Sequence, residues 1–245
     1  MEKRITVRID KLLEEKGFGS RKTVKRLFQR KVVLVDGEAV TNGSLNVEER
    51  LHQVTVRGER VNGFTHRYWL LNKPSGVVTA LTDANCQTVL DLIKEEDKTE
   101  GLYPVGRLDR DTEGLLLLTD NGQLGYQLLI PNKKVTKTYE VTTKEPLEKG
   151  DVATFLAGVV FIGGETCKPA DLEILDAHRA RLTISEGKFH QVKKMFLSVG
   201  KKVVQLKRVA MGPINLDESL PLGSYRALTD AELQLLKPYF TYKEG

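Results

Sequence analysis

The sequence predicts an α+β protein in two parts. A small basic module covers residues 1–60, a linker 61–66, and a larger body 67–245. Three observations carry this. Residues 1–60 hold 14 Lys/Arg against 9 Asp/Glu, while the remaining 185 hold 24 of each, so the whole net charge of +5 lies in the first quarter. Helical periodicity in that quarter gives way to short apolar runs parted by turn dipeptides, the pattern of helices followed by strands. The four leucines Leu115–Leu118, bounded by Gly114 and by Thr-Asp-Asn-Gly, read as a short buried strand.

Composition narrows the class. A chain of 245 residues with 40% apolar content can bury a real core. Cys86 and Cys167 stand far apart with no C-x-x-C spacing, so neither a disulfide framework nor a zinc site is expected, and a reducing, cytoplasmic setting fits. The charged start MEKRITVRID is not a signal peptide, and no apolar run approaches the roughly 20 residues of a membrane span. No exposed apolar stripe demands a partner, so a monomer is expected. A basic module on a neutral body suggests a polyanion-binding appendage; an ordinary lysine-rich surface is the alternative.

Within the module, Asp10 can cap a helix through Lys11–Lys16 that Gly17 ends. Ser20 can cap a second helix, Arg21–Arg30, whose Val24, Leu27 and Phe28 share one face. Arg21, Lys22, Lys25, Arg26, Arg30 and Lys31 cover the rest, and no acid occurs between Ser20 and Val35. Asp36-Gly37 between apolar runs is a hairpin signal, and LHQVTV adds a strand. Gly58–Thr65, with two glycines and no periodicity, reads as the flexible linker.

In the body, RYWLLNKPSG predicts a strand ending in the turn Lys73–Gly76, and a helical segment is expected near Thr88–Ile93. After Leu115–Leu118, Asn121 opens a helix closed before Pro131, and Lys137–Val141 reads as a strand. Thr154–Ile162 looks like a helix end plus a buried strand, and Arg181–Ser185 like another strand. Val192, Met195, Phe196 and Val199 form a core-facing helix stripe. From Gly187 to Leu216 there is no acid, while Lys188, Lys193, Lys194, Lys201, Lys202, Lys207 and Arg208 suggest a second basic patch.

The charged segment before the leucine run is the most informative stretch. Arg107, Asp109, Arg110, Asp111 and Glu113 stand beside a buried strand, where unpaired ions cost several kcal/mol or more. A solvated loop is the bland reading. The whole stretch, G-R-L-D-R-D-T-E-G-L-L-L-L-T, resembles the active-site motif of the RsuA-type pseudouridine synthases. The order K-P-S-G, G-R-L-D, K-T-Y and E-G-K-F-H-Q-V-K-K-M continues that resemblance along nearly the whole chain. GFGSRKTVKRLFQRKVVLVDGEAV likewise resembles the RNA-binding domain named after ribosomal protein S-four. The resemblance implies a largely antiparallel mixed sheet of the pseudouridine synthase fold. It makes Asp109 the catalytic residue and Lys193 its cation, a Lys where many relatives have Arg, without Arg's bidentate geometry. It lays Tyr139 against the target base and has Arg107 hold the site open around a flipped nucleotide. The residues alone also allow Tyr139 as a packed strand aromatic and Arg107 as a salt-bridge partner of Asp111 or Glu113.

The implied reaction breaks the N-glycosidic bond of a uridine, turns the uracil and rejoins it through carbon, with no atom gained or lost. No cofactor or metal is expected, and neither G-x-x-x-x-G-K-[ST] nor G-x-G-x-x-G occurs. One carboxylate must stay ionised, which a cation within about 4–6 Å favours. His190 has no second ligand at metal spacing. The basic residues Arg21, Lys22, Lys25, Arg26, Arg30, Lys31 and Lys194 would follow phosphates. The H-Q-V-K-x-M form and the closing L-x-x-G-x-Y-R-x-L-T pattern look most like the small-subunit branch, the large-subunit branch usually having Asn-Arg or a similar pair where Phe189-His190 stand here, so the expected partner is 16S rRNA in small-subunit particles or assembly intermediates. The alternatives are a 23S-directed synthase, a non-enzymatic assembly factor, and a metal-dependent nuclease built on Asp109, Asp111 and Glu113.

Overall fold

The computed structural model describes residues 8–63 and 66–240. Helices α1 (Ile9–Glu15) and α2 (Arg21–Gln29) come first. Four short strands follow: β1 (Val33–Val35), β2 (Glu38–Ala39), β3 (Val54–Val56) and β4 (Glu59–Val61). They form an antiparallel sheet in the order β2-β1-β3-β4. Ile9, Leu12 and Leu13 of α1 meet Val24, Leu27 and Phe28 of α2 over Val33, Val54 and Val56 in one small core. The β1–β2 hairpin turns on Asp36 (φ 52°) and Gly37 (φ 87°), the left-handed pair that this tight connection requires.

Two expectations for this region change. Helix α1 begins at Ile9, before Asp10, whose Oδ1 instead accepts from the Lys11 N–H inside the first turn. The expected linker Gly58–Thr65 is shorter: Gly58 turns the β3–β4 hairpin, and Glu59–Val61 is a strand with Val61 buried opposite Val54. Of that stretch, Phe64 and Thr65 lie outside the described residues.

The larger part is built on β5 (Tyr68–Lys73), β6 (Tyr103–Pro104), β7 (Glu113–Thr119), β8 (Lys137–Thr143), β9 (Asp171–Ile174), β10 (Arg179–Ile184), β11 (Val203–Met211), β12 (Ile214–Asn215) and β13 (Tyr225–Ala227). Helices α3 (Gly122–Leu129), α4 (Lys149–Ala157), α5 (Gln191–Ser198) and α6 (Asp230–Leu236) are set between or after them. The sheet runs β13-β5-β7-β11-β8-β10-β9, with β6 on β7 and β12 on β11. Every pairing is antiparallel except β7 with β11.

This sheet is covered on both faces, which explains the unbroken leucine run. Leu116 and Leu118 join Trp69 and Leu71 in one core, and Leu115 and Leu117 join Tyr68 and Leu70 in the other. A strand buried on both sides has no polar alternation, and each buried Leu contributes about 1.5–3 kcal/mol. Gly114 opens β7 where it meets β11. Its φ is +100°, and a Cβ there would fall 2.2 Å from the Arg208 carbonyl oxygen.

Elsewhere the expected helix at Thr88–Ile93 is a series of turns. The Asp91 carboxylate accepts from the Thr88 N–H and hydroxyl, and Val89 N–H bonds Val78 O, which bends the chain while burying Val89 and Ile93. In Thr154–Ile162 the helix is α4, but the expected strand reduces to one bridge, Val160 with Thr166. Asn121 caps α3 by accepting from Leu124 N–H, as its position predicts.

The two parts touch closely. Glu48, fully buried, accepts from Tyr68 hydroxyl at 2.8 Å and His66 N–H at 3.0 Å. Arg50 donates to Asp230 and to Leu228 O, and Lys237 to Asp36 and Leu51 O.

Candidate active site

The loop between β6 and β7 carries Arg107, Asp109 and Asp111. Its backbone is anchored on both sides of Asp109. Thr79 hydroxyl donates to Leu108 O and accepts from Leu108 N–H. Lys73, fully buried at the end of β5, donates to Pro74 O, Arg110 O and Thr112 O at 3.0, 3.2 and 2.8 Å. Gly76 N–H also reaches Arg110 O, and Arg110 Nε returns a bond to Gly76 O. The K-P-S-G turn is thus the clamp that fixes the loop. Burial pulls the Lys73 ammonium down to about 8, against the opposing pull of Asp111, Asp109 and Glu113.

Helix α5 supplies the cation. Lys193, in its first turns, lies 3.2 Å from Asp109 Oδ2 and 2.5 Å from Asp111 Oδ1. Burial would lower the Lys193 pKa, but Asp111 and Asp109 outweigh it and hold the ammonium above its ordinary value. The hydrogen bond from Lys193 in turn holds the Asp111 carboxyl below its ordinary value, against a smaller opposing effect of burial. His190 caps this helix in the left-handed conformation (φ 52°), which turns its ring so that Nε2 lies 3.5 Å from Asp109 Oδ1. Asp109 and Lys193 are each about a quarter exposed, reachable from a cavity but shielded from bulk water.

That cavity, about 680 Å³, is lined by Arg107, Asp109, Tyr139, His190, Lys193 and Arg208 among others. Tyr139 is buried on β8, opposite Leu182 of β10 and Arg208 of β11, so its ring is fixed by strand register. Of the predicted site residues, the structure gathers Arg107, Asp109, Tyr139 and Lys193 around one cavity. Among the described residues Arg107 forms no ion pair, so the salt bridge to Asp111 or Glu113 open from the sequence is not made. Asp109 and Asp111 both turn to Lys193. Arg21, Lys22, Lys25, Arg26, Arg30 and Lys31 stand exposed on and just after α2. Lys194 is exposed on α5, its Nζ 5.1 Å from the Phe189 ring centre.

The second basic patch is reduced in three dimensions to the exposed Lys194 and Lys202 and the half-buried Lys207. Lys201 is buried against Glu148, Lys188 pairs with Glu165, Lys193 is held by two acids, and Arg208 is 1% exposed with Nε donating to Leu115 O. A window without acids in sequence still meets acids brought by loops and a helix end elsewhere in the chain. Lys73, Thr79 and Arg208 are contributors the sequence reading did not single out as site residues. For Lys73 and Thr79 the signal is long-range, a side chain reaching the carbonyls of another segment.

No helix among the described residues is long and apolar enough to cross a membrane. The RNA pseudouridylate synthase family matches residues 67–198. The Bacillus subtilis protein called uncharacterized RNA pseudouridine synthase YtzG is 45% identical, over 94% of this chain and 98% of its own. The ribosomal small subunit pseudouridine synthase A of Yersinia pestis is 39% identical over 93% and 97%, and that of Escherichia coli 38% over 93% and 98%. A crystal structure of a pseudouridylate synthase aligns with a TM-score of 0.66 at 37% identity, covering 94% of this chain and 99% of its own.

Proposed function

The chain belongs to the RNA pseudouridylate synthase family, and from that membership we propose that it isomerises one uridine of 16S rRNA with Asp109 as the catalytic carboxylate. The single observation that carries the assignment of Asp109 is its position: on a doubly anchored loop, 3.2 Å from Lys193, facing the same cavity as Tyr139. The reaction severs C1′–N1, rotates the released uracil and forms C1′–C5; the C5 proton leaves and N1 gains one. Asp109 acts on the sugar or base as an ionised group, Lys193 stays charged beside it, and Tyr139 stacks against the extruded base. Arg107 helps hold the site open around the flipped nucleotide. Stacking of this kind contributes about 1–3 kcal/mol per base, which helps offset the cost of flipping the nucleotide.

The small-subunit substrate draws support from the relatives named for that activity, at 38–39% identity over nearly the full chain. Residues up to Val61 serve as the RNA-binding module, with the cations of α2 on phosphates, and the body from residue 67 as the catalytic domain. The protein works as a monomer in the cytoplasm on small-subunit particles. The test is pseudouridine mapping on 16S and 23S rRNA in unmodified ribosomal particles treated with wild-type protein or Asp109→Ala. One new 16S site, absent with the variant, is the expected result. A site on 23S alone overturns the substrate, and no product with RNA binding retained overturns the enzymatic reading in favour of an assembly factor.

A further inference from the structure

At the mouth of the cavity one large apolar side chain stands in water. Phe189 is 73% exposed, although aromatic rings are normally drawn into a core. It is not a loose surface residue. Its ring stacks on the next residue, His190, with centres 3.8 Å apart and planes 23° from parallel. The stack exists because His190 takes a left-handed backbone conformation, uncommon for a residue with a side chain. Such outliers persist where the surroundings enforce them, and they concentrate at binding sites. The Nε2 edge of His190 meets Asp109. The series Asp109, His190, Phe189 therefore leads from the catalytic carboxylate to the protein surface without a break.

A single ammonium stands over the ring. Lys194 Nζ lies 5.1 Å from the Phe189 ring centre and 5.6 Å from that of Phe161, and it forms no ion pair among the described residues. A largely exposed aromatic ring beside a cation that no acid holds is the combination that binds an unpaired nucleotide, the base on the ring and the ammonium moving from the ring to the phosphate. Flipping a uridine into the cavity leaves its neighbour in the RNA without a stacking partner, and Phe189 lines the rim of that cavity.

We propose that Phe189, held by its stack on His190, is a platform for the base adjacent to the target uridine, with Lys194 on that nucleotide's phosphate. The inference rests on the proposed uridine-isomerising site but adds a determinant of which uridine is chosen. An aromatic platform reads stacking strength and the absence of pairing rather than base identity, so it favours targets whose neighbour is unpaired.

The test uses the rRNA identified by the mapping above, rebuilt with an abasic residue on one or the other side of the modified uridine. Steady-state constants are measured for wild type, Phe189→Ala and Phe189→Trp, with folding checked by an unchanged urea midpoint. Phe189→Ala is expected to raise KM about tenfold, within the range for one lost base–aromatic stack, with kcat changed far less. Phe189→Trp restores KM. An abasic neighbour on one side costs wild type a similar factor and costs Phe189→Ala nothing more. An unchanged KM in Phe189→Ala, or abasic penalties that simply add to the Ala penalty, overturns the platform. A wild-type protein that converts neither rRNA overturns the substrate reading instead, so the two failures are distinct.

Discussion

Six cations on and just after α2 and one cation in the cavity obey opposite rules. Among the described residues Arg21, Lys22, Lys25, Arg26, Arg30 and Lys31 form no ion pair, and all are exposed. Lys193, three-quarters covered, touches two carboxylates. An exposed, unpaired ammonium loses little by exchanging water for a phosphate, and its counterion release makes the resulting affinity depend on salt. A shielded ammonium between two acids is already committed; it fixes the position of its partners and the charge of the site. On the proposed function, the difference separates holding RNA from acting on it. Substitutions in the two sets should therefore fail in different measurements.

The largest effect is expected at Asp109. Asp109→Asn preserves shape and removes the charge, so pseudouridine formation should fall by about 10⁴-fold or more while RNA affinity changes little. Single-turnover assays beside a filter-binding titration check both halves, and a parallel loss of affinity would erase the contrast between the two sets. Next comes Lys193→Met, with a fall in kcat of about 10²-fold, the scale of losing one preorganised electrostatic group. Lys193→Arg should recover part of it.

Lys193 and Asp111 set a pH signature. The folded-state pKa of Lys193 is raised above 10.5, so its contribution to stability is fully present below 10.5 and is lost as pH rises through the folded value. Asp111 is the mirror image: its pKa lies below 3.8, so its contribution is present above 3.8 and fades as pH falls through the folded value. Urea midpoints of wild type and Lys193→Met should therefore keep a constant gap from weakly acidic to weakly alkaline pH and converge only at the two extremes. A gap that closes near neutrality contradicts the assignment.

For the α2 cations the expected loss is smaller and of another kind. Replacing Lys22, Lys25 and Arg26 by Ala should flatten the slope of log affinity against log salt by about two to three, weaken binding to all RNAs alike, and leave kcat at saturating RNA near that of the wild type. A selective loss for one sequence would mean that α2 reads bases.

What the sequence made legible follows the range of the interactions. Local chemistry was readable: the Asp36-Gly37 turn, the Asn121 cap, the apolar faces of α2 and α5, and the leucine strand, whose lack of alternation already implies two-sided burial. Thr88–Ile93 misled because Val89, Leu90 and Ile93 carry helical spacing, while the bonds from Thr88 to Asp91 close a turn instead. The lysines near α5 misled for a different reason. Their acidic partners Glu148 and Glu165 come from segments far away in the chain. In the site, the motif pattern named Asp109, Tyr139 and Lys193. It did not reveal that Lys73 anchors the loop, because three backbone carbonyls carry no sequence signature.

The smallest effect is expected where the two parts meet, and it bears on whether they act as one body. Glu48 belongs to the N-terminal part, yet its buried carboxylate is held by Tyr68 of the other and by His66 at the end of the linker. Burial, and next the Glu48 charge, keep the Tyr68 phenol protonated, far above its ordinary value. Glu48→Gln leaves one oxygen to accept but turns an amide toward the remaining donors, at a cost of about 1–2 kcal/mol, the scale of a hydrogen bond to a charged group. Urea unfolding should shift to lower concentration, with kcat changed less than twofold. The shape of that curve decides more than its midpoint. If Glu48 couples the parts, the variant should unfold in two steps where the wild type unfolds in one, the small module first, because its own core among the described residues is only twelve buried side chains, all aliphatic but Phe28, beneath two short helices. A single transition in both proteins would mean that Arg50 and Lys237 suffice to join the module to the body, and that the RNA is met by one rigid surface.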